Sequence, residues 1–99
     1  MSVAETILQQ LGGRRFSTMT GSKNFVSNDK ENSLSMKLTR NNLKATYLTI
    51  KLTVMDTYTM EFMKFKRNFD KVSIKTIEGV YAEDLQRIFT EETGLYTKF

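Results

Sequence analysis

Basic residues at alternating positions are the side chains of this sequence best suited to chemistry. In segments of strand-like alternation, lysines share the positions opposite the apolar residues with Ser and Thr, and other cations fall near the segment ends. Cationic side chains neutralise phosphates and aromatic rings stack on bases, so Tyr47, on the same side, completes the set. The candidate nucleic-acid-binding residues are Arg14, Arg15, Lys37, Arg40, Tyr47, Lys51, Lys66, Arg67, Lys71 and Lys75. The alternative is that the lysines only keep an open sheet face solvated.

The charge is unevenly distributed along the chain, whose net charge is +4. Residues 14–75 contain thirteen Lys or Arg against five Asp or Glu, an excess of eight positive charges, whereas residues 78–99 contain two against five. This asymmetry favours an anionic partner for the basic part of the chain.

A second candidate surface, a protein interface, is acidic and belongs to the C-terminal segment. Its residues are Glu83, Asp84, Glu91 and Glu92. Glu91 and Glu92 fall at the predicted C-terminal end of a helix, where the helix dipole disfavours negative charge. Negative charges placed against the helix dipole in this way can mark a surface that binds a partner. The alternative is that these carboxylates pair with Arg87 or with lysines of the sheet.

The composition excludes most catalytic and metal chemistry. The chain contains no cysteine and no histidine, which excludes disulfides, the usual transition-metal ligands and Ser-His or Cys-His nucleophiles. Among the carboxylates, Asp56 is predicted to lie in a turn, Glu61 is predicted to face a lysine across strands, and neither forms an acid/base pair with Asp70. We therefore predict a non-enzymatic protein that needs no cofactor. No apolar run approaches the roughly 20 residues of a membrane span, so no membrane partner is predicted.

The N-terminal third combines helical and strand-like signals. A stripe of apolar residues at helical spacing over residues 2–11, closed by Gly12 and Gly13, predicts a helix. Residues 14–20 predict a short strand. Phe25 and Val26 are expected to return to the core, and residues 27–32 to form a polar loop.

A hairpin over residues 47–66 is the centre of the predicted sheet. Its inward-facing residues are Leu48, Ile50, Leu52, Val54, Tyr58, Met60 and Phe62. The alternation slips at Phe62–Met63, which predicts either a β-bulge or a strand covered on both faces, and would bring Met63 and Phe65 to the lysine side. Flanking strands are predicted over residues 33–40 and 71–77, with Leu34, Met36, Leu38, Val72 and Ile74 facing inward. Gly79 is predicted to end the last strand.

The C-terminal segment has the pattern of an amphipathic helix. Its apolar stripe consists of Tyr81, Leu85, Ile88 and Phe89. Arg87 is spaced to pair with Glu83 and Glu91, and Gly94 is expected to close the helix. The order of helix, antiparallel strands and helix predicts a single two-layer α+β domain over residues 1–99. In it, N- and C-terminal helices cover one face of a meander of four to five strands.

Three segments resemble a family of short bacteriophage and mobile-element proteins that has no established activity. They are MTGSKNF (Met19–Phe25), MDTYTMEF (Met55–Phe62) and GVYAEDLQRIFTEETGLYT (Gly79–Thr97). The resemblance implies a phage protein expressed in the cytoplasm of a bacterial host. Small non-enzymatic proteins in that setting often bind nucleic acid or inhibit host machinery.

Three functional hypotheses follow. The leading one is an accessory protein that binds nucleic acid, or a nucleic-acid complex, through the basic sheet face. The second is a protein-binding inhibitor of a host factor, such as a defence nuclease, that uses the acidic helix or the exposed hairpin. The third is a structural homo-oligomer that pairs free strand edges.

Overall fold

The computed structural model describes residues 3–28, 30–65 and 71–95. Three helices and five strands follow one another as α1 (Val3–Leu11), α2 (Arg14–Thr20), β1 (Lys23–Asn28), β2 (Ser33–Lys37), β3 (Tyr47–Leu52), β4 (Tyr58–Phe65), β5 (Lys71–Val80) and α3 (Leu85–Thr93). The strands form one antiparallel meander in sequence order, and the helices cover one of its faces. The predicted α+β fold class is confirmed.

Helix α1 forms where the apolar spacing predicts it. Ala4, Ile7 and Leu11 lie on one side of the helix and are buried against the sheet and α3. The helix ends as its sequence indicates, because the Gly13 amide donates to the Leu8 carbonyl at 2.8 Å and both glycines have positive φ. The Gln86 side chain of α3 donates to the Gln10 carbonyl at 3.0 Å and ties the two helices together.

The prediction of a strand over residues 14–20 is wrong, because this segment is helix α2. Phe16 and Thr20, one helical turn apart, are both buried, and the Thr20 hydroxyl donates to the Phe16 carbonyl at 2.7 Å. The Phe16 ring packs edge-on against Phe89 of α3, with centroids 4.9 Å apart. This distant contact selects the helical arrangement, and the left-handed Gly21 then closes it.

Strand β1 contains Phe25 and Val26 and extends over the first two residues, Ser27 and Asn28, of the segment predicted to be a loop. It is an edge strand, paired only with β2. Phe25 is half-buried against the core as expected, but Val26 is 60% exposed. Val26 lies opposite Ser35, on the face of the sheet away from the helices, because successive strand residues point to opposite faces. The expectation that both residues reach the core is therefore half wrong.

The central hairpin has the predicted register. Leu48 lies opposite Phe62 and Ile50 opposite Met60, and all four side chains are fully buried. Asp56 adopts the left-handed conformation in the turn, as its residue type suggested. Val54, however, is fully exposed rather than inward, because the chain leaves the strand after Leu52 and the alternation no longer determines direction.

Eight of the residues predicted to face inward, from the strands and the C-terminal helix, share one core. Leu34, Met36, Leu48, Ile50, Leu85 and Phe89 are buried in one cluster, and Leu52 and Ile88 pack against it. Truncating any of the fully buried members therefore disturbs both layers of the fold.

The phase slip near Met63 arises from a bulge in β5, not in β4. Strand β4 keeps its register with β3 as far as the Tyr47–Met63 pair. On the other side, Met63 lies opposite Ser73 and Phe62 opposite Lys75, so that Ile74 is the extra residue. Directly opposed residues of a ladder share a face. Lys75 therefore lies on the helix-covered face, contrary to prediction, and Ile74 is 36% exposed rather than inward.

Gly79 does not end the last strand. It produces a second irregularity, between the Tyr58–Val80 and Met60–Ile77 pairs, and β5 continues to Val80. With φ of +69°, Gly79 supplies the left-handed backbone that many bulges require. The strand end was predicted wrongly because the same residue type breaks strands and forms bulges.

Helix α3 begins later than the apolar stripe indicated. A 3-10 turn over Ala82–Asp84 precedes it, and Tyr81 lies before both, 60% exposed. At the other end Gly94 is left-handed, donates to the Thr90 carbonyl at 2.8 Å, and is followed by Leu95, which packs on the core. The predicted glycine-closed C-terminus is confirmed.

Candidate nucleic-acid interface

The face of the sheet opposite the helices, here called the outer face, carries three rows of cross-strand neighbours. The first row is Lys23, Lys37, Tyr47, Met63 and Ser73. The second is Val26, Ser35, Thr49, Glu61 and Thr76. The third is Asn28, Ser33, Lys51 and Thr59. The rows place hydroxyl groups in the middle of the face and lysines at its margins.

The second and third rows line an open concavity of about 450 Å³. Its walls include the hydroxyls of Ser35 and Thr49, which are hydrogen-bonded to each other at 2.9 Å. Glu61 is half-buried near its centre, opposite Thr49 and Thr76. The prediction that Glu61 faces a lysine across the strands is therefore wrong. Among the described residues no cation lies within ion-pairing distance of its carboxylate.

Only part of the predicted basic set lies on the outer face. Lys37, Tyr47 and Lys51 do, and Arg40 is exposed in the loop after β2. Arg14 and Arg15 are exposed on α2, in the helical layer, because that segment is not a strand. Lys75 is on the helix-covered face. Lys66 and Arg67 lie outside the described residues, and Lys71 is described only as the first backbone position of β5.

The fold gathers positive charge at one end of the sheet rather than across one face. In a meander, the starts of β1, β3 and β5 lie beside the ends of β2 and β4. At this end, here called the basic end, the exposed cations are Lys23, Lys37, Arg40, Lys44 and Lys64. Residues 21–26, 36–48, 62–65 and 71–74 contain no Asp or Glu. The opposite end carries Glu31, Asp56 and Glu78 beside Lys30.

The cations of the basic end make no ion pairs with any residue that the structure describes. No described residue therefore neutralises their charge. Three of them, Lys23, Lys44 and Lys64, were absent from the predicted set, which took the alternating lysines and only some of the cations near segment ends. Counting charges at the strand ends of the predicted meander would have found Lys44 and Lys64. Lys23 can be assigned to this end only once β1 is known to be a strand.

The predicted acidic surface is largely neutralised within the protein. Arg87 contacts Glu91 at 3.1 Å and Asp84 at 3.4 Å, so Asp84 replaces the expected partner Glu83. The hydrogen bond and charge of Glu91, with a smaller contribution from Asp84, raise the pKa of Arg87. Glu92 pairs with Lys75, and Glu83 is exposed. The interpretation that these carboxylates pair with Arg87 and sheet lysines is confirmed for Glu91 and Glu92.

Other kinds of site find little support in the described part of the chain. It contains no group of three or more acidic residues placed to hold a metal ion. None of its helices is both long and apolar enough to cross a membrane. No protein-family model, curated protein or solved structure matches the chain.

Proposed function

We propose that the protein binds nucleic acid through the basic end of its sheet and the adjoining outer face. The observation that carries this proposal is the cluster of five exposed cations, from three different sheet segments, which form no ion pair with any other described residue. A cluster of this kind is the electrostatic footprint of a protein that binds a phosphate backbone.

Single strands suit this surface better than a duplex. The first row offers Lys23 and Lys37 to phosphates, and with Tyr47 it spans about 10 Å at the usual spacing of about 4.8 Å between strands; Met63, the next residue of the row, is buried. Tyr47 stands next to Lys37 in that row and is half-buried. An aromatic ring beside cations on an open sheet is a platform for unpaired bases.

The experiment compares two double variants with the same charge change. Lys37→Gln with Lys44→Gln removes two cations from the basic end, and Arg14→Gln with Lys30→Gln removes two from the helical layer and the β1–β2 turn. Binding to a fluorescent single strand is followed by anisotropy between 50 and 200 mM salt. The basic-end variant should lose affinity, and its salt slope should fall by about 0.7 for each lost phosphate contact. Equal effects from both variants, or no wild-type binding at about 0.15 M salt, would contradict the proposal.

A second function is favoured by a different observation. Val54 and Met55, at the tip of the β3–β4 hairpin, are 100% and 78% exposed. Two exposed apolar side chains on a narrow tip can insert into a pocket of another protein. The protein would then inhibit a host factor, such as a defence nuclease, in the bacterial cytoplasm, a setting that the resemblance to phage proteins supports.

A pull-down from host lysate distinguishes the two functions. The inhibitor function predicts capture of one host protein that survives nuclease treatment and is lost with Val54→Ser and Met55→Ser. The nucleic-acid function predicts that this double variant binds oligonucleotides as the wild type does, since the tip lies at the opposite end from the cations. Capture that disappears with nuclease would count against the inhibitor.

A further inference from the structure

The concavity of the outer face contains a carboxylate that phosphate binding alone does not explain. Glu61 lies in the middle row, between Thr49 and Thr76, and none of the described cations pairs with it. Near a phosphate backbone an unpaired carboxylate lowers affinity by repulsion. Glu61 therefore either lowers the affinity for nucleic acid or contacts some other part of the ligand.

The chemistry of the site limits what that contact can be. An ionised carboxylate only accepts hydrogen bonds, so its ligand must present donors. The surrounding wall offers hydroxyls, and Ser35 and Thr49 share one hydrogen bond at 2.9 Å, which uses one of their two donors. The volume of about 450 Å³ is in the range of pockets for small ligands and admits a base with its sugar. Lys51, which lines the same concavity, and the cations of the basic end remain for phosphates.

Tyr47 and Glu61 are placed to act on the same base. Tyr47 and Thr49 point to the same face of β3, and Glu61 lies opposite Thr49 on β4. Glu61 is therefore the diagonal neighbour of Tyr47, at a Cα separation of about 7–8 Å. A base beside Tyr47 on this face would lie within reach of the Glu61 side chain.

We infer that the outer face selects guanine in single strands, with Glu61 as the residue that reads the base. Guanine presents two adjacent donors, N1–H and the 2-amino group, on its Watson–Crick edge, and these match the two carboxylate oxygens. Adenine and cytosine each offer one amino donor beside an acceptor that the carboxylate repels. This inference rests on the proposed function, because the phosphates must first bring the strand to the face.

The experiment uses thymine 12-mers that carry one central guanine, hypoxanthine, adenine or cytosine. The wild-type protein should bind the guanine strand about tenfold more tightly than the adenine and cytosine strands, within the range for a two-bond base contact. The hypoxanthine strand, which lacks the 2-amino group, should fall between them. A parallel series in RNA tests whether the preference depends on the sugar.

Glu61→Gln should abolish the guanine preference. Glu31→Gln is the matched control, since it removes the same charge from the same concavity while leaving Glu61 in place. It should retain the preference. Salt-dependent binding by the wild type with no preference among the four strands would overturn the inference and leave the proposed function standing. Absence of binding to every strand would overturn both.

Discussion

The ammonium nitrogen of Lys75 lies 2.7 Å from a carboxylate oxygen of Glu92 and joins strand β5 to helix α3. The pair exists because the extra residue Ile74 turns Lys75 to the helix-covered face. It places a cation beside the C-terminal turn of α3, where the helix dipole favours positive charge. Lys75, which was predicted to bind phosphate, thus forms an ion pair with Glu92 within the protein.

The Lys75–Glu92 pair should contribute modestly to stability. The two side chains are 47% and 22% exposed, so a double-mutant cycle with Lys75→Gln and Glu92→Gln should give a coupling of about 0.2–1 kcal/mol, decreasing at high salt. Urea denaturation measures it. Lys75→Gln should leave oligonucleotide affinity nearly unchanged. A loss of affinity as large as that of Lys37→Gln would show that Lys75 belongs to the binding surface.

The register of β3 predicts that substitutions at neighbouring residues lower the free energy of unfolding by different amounts. Ile50→Ala should lower the free energy of unfolding by about 2–5 kcal/mol, because the side chain is fully buried between sheet and helices. Thr49→Ala should cost about 0.5–1.5 kcal/mol, the worth of its hydrogen bond to Ser35. Chemical denaturation of both variants tests the register, and equal costs would refute it.

Gly94 should tolerate no β-branched residue. Its φ of +77° is the left-handed region, and an added Cβ would meet the side-chain amide of Asn42. Gly94→Val should therefore lower the free energy of unfolding by more than about 1 kcal/mol in thermal or urea denaturation.

Gly79 provides the matched control for the contact with Asn42. Its φ is +69°, but an added Cβ would meet no atom within 4 Å. Gly79→Ala reports the backbone strain alone, whereas Gly94→Ala adds the steric contact. Equal losses of stability for the two alanine variants would show that Asn42 moves aside freely.

Tyr47 should matter for single strands only. Tyr47→Leu is expected to weaken binding of a single-stranded oligonucleotide by about 1–3 kcal/mol, because it removes the stacking ring. Tyr47→Phe keeps the ring and should bind almost as the wild type does. Anisotropy titrations against single-stranded and duplex forms of one sequence make the comparison, and an equal loss on the duplex would argue against stacking.

Tyr58 should make stability fall at alkaline pH. Burial raises the pKa of Tyr58 above its usual value of 10, and a hydrogen bond from Gln10 partly offsets the rise. The folded protein therefore favours the neutral phenol. The contribution of Tyr58 to the free energy of unfolding is intact below pH 10 and is lost as the pH rises through the raised pKa. The difference in unfolding free energy between wild type and Tyr58→Phe should shift against the wild type above about pH 10.

Tyr81 supplies the control for this pH dependence, since it is 60% exposed. Tyr81→Phe should leave the alkaline limb of the wild-type stability curve in place. If both substitutions changed the curve equally, burial of Tyr58 would not be the cause.

Local periodicity was sufficient for much of the fold. Alternation identified β2, β3 and β4 and their inward residues, and helical spacing with closing glycines identified α1 and α3. These signals are local because the side-chain directions of strands and helices follow from backbone geometry within a few residues. Fold class and core membership then followed from burying the apolar sides together.

Tertiary structure decided what depends on contacts between distant segments. Residues 14–20 became a helix through the packing of Phe16 on Phe89, and the bulge at Ile74 moved Lys75 to the other face. The candidate binding surface was decided in the same way. Lys23, Lys37 and Lys64 are far apart in the chain. They lie at one end of the sheet because antiparallel pairing brings strand starts beside strand ends. The positive charge of this end is therefore a property of the meander and not of any one segment.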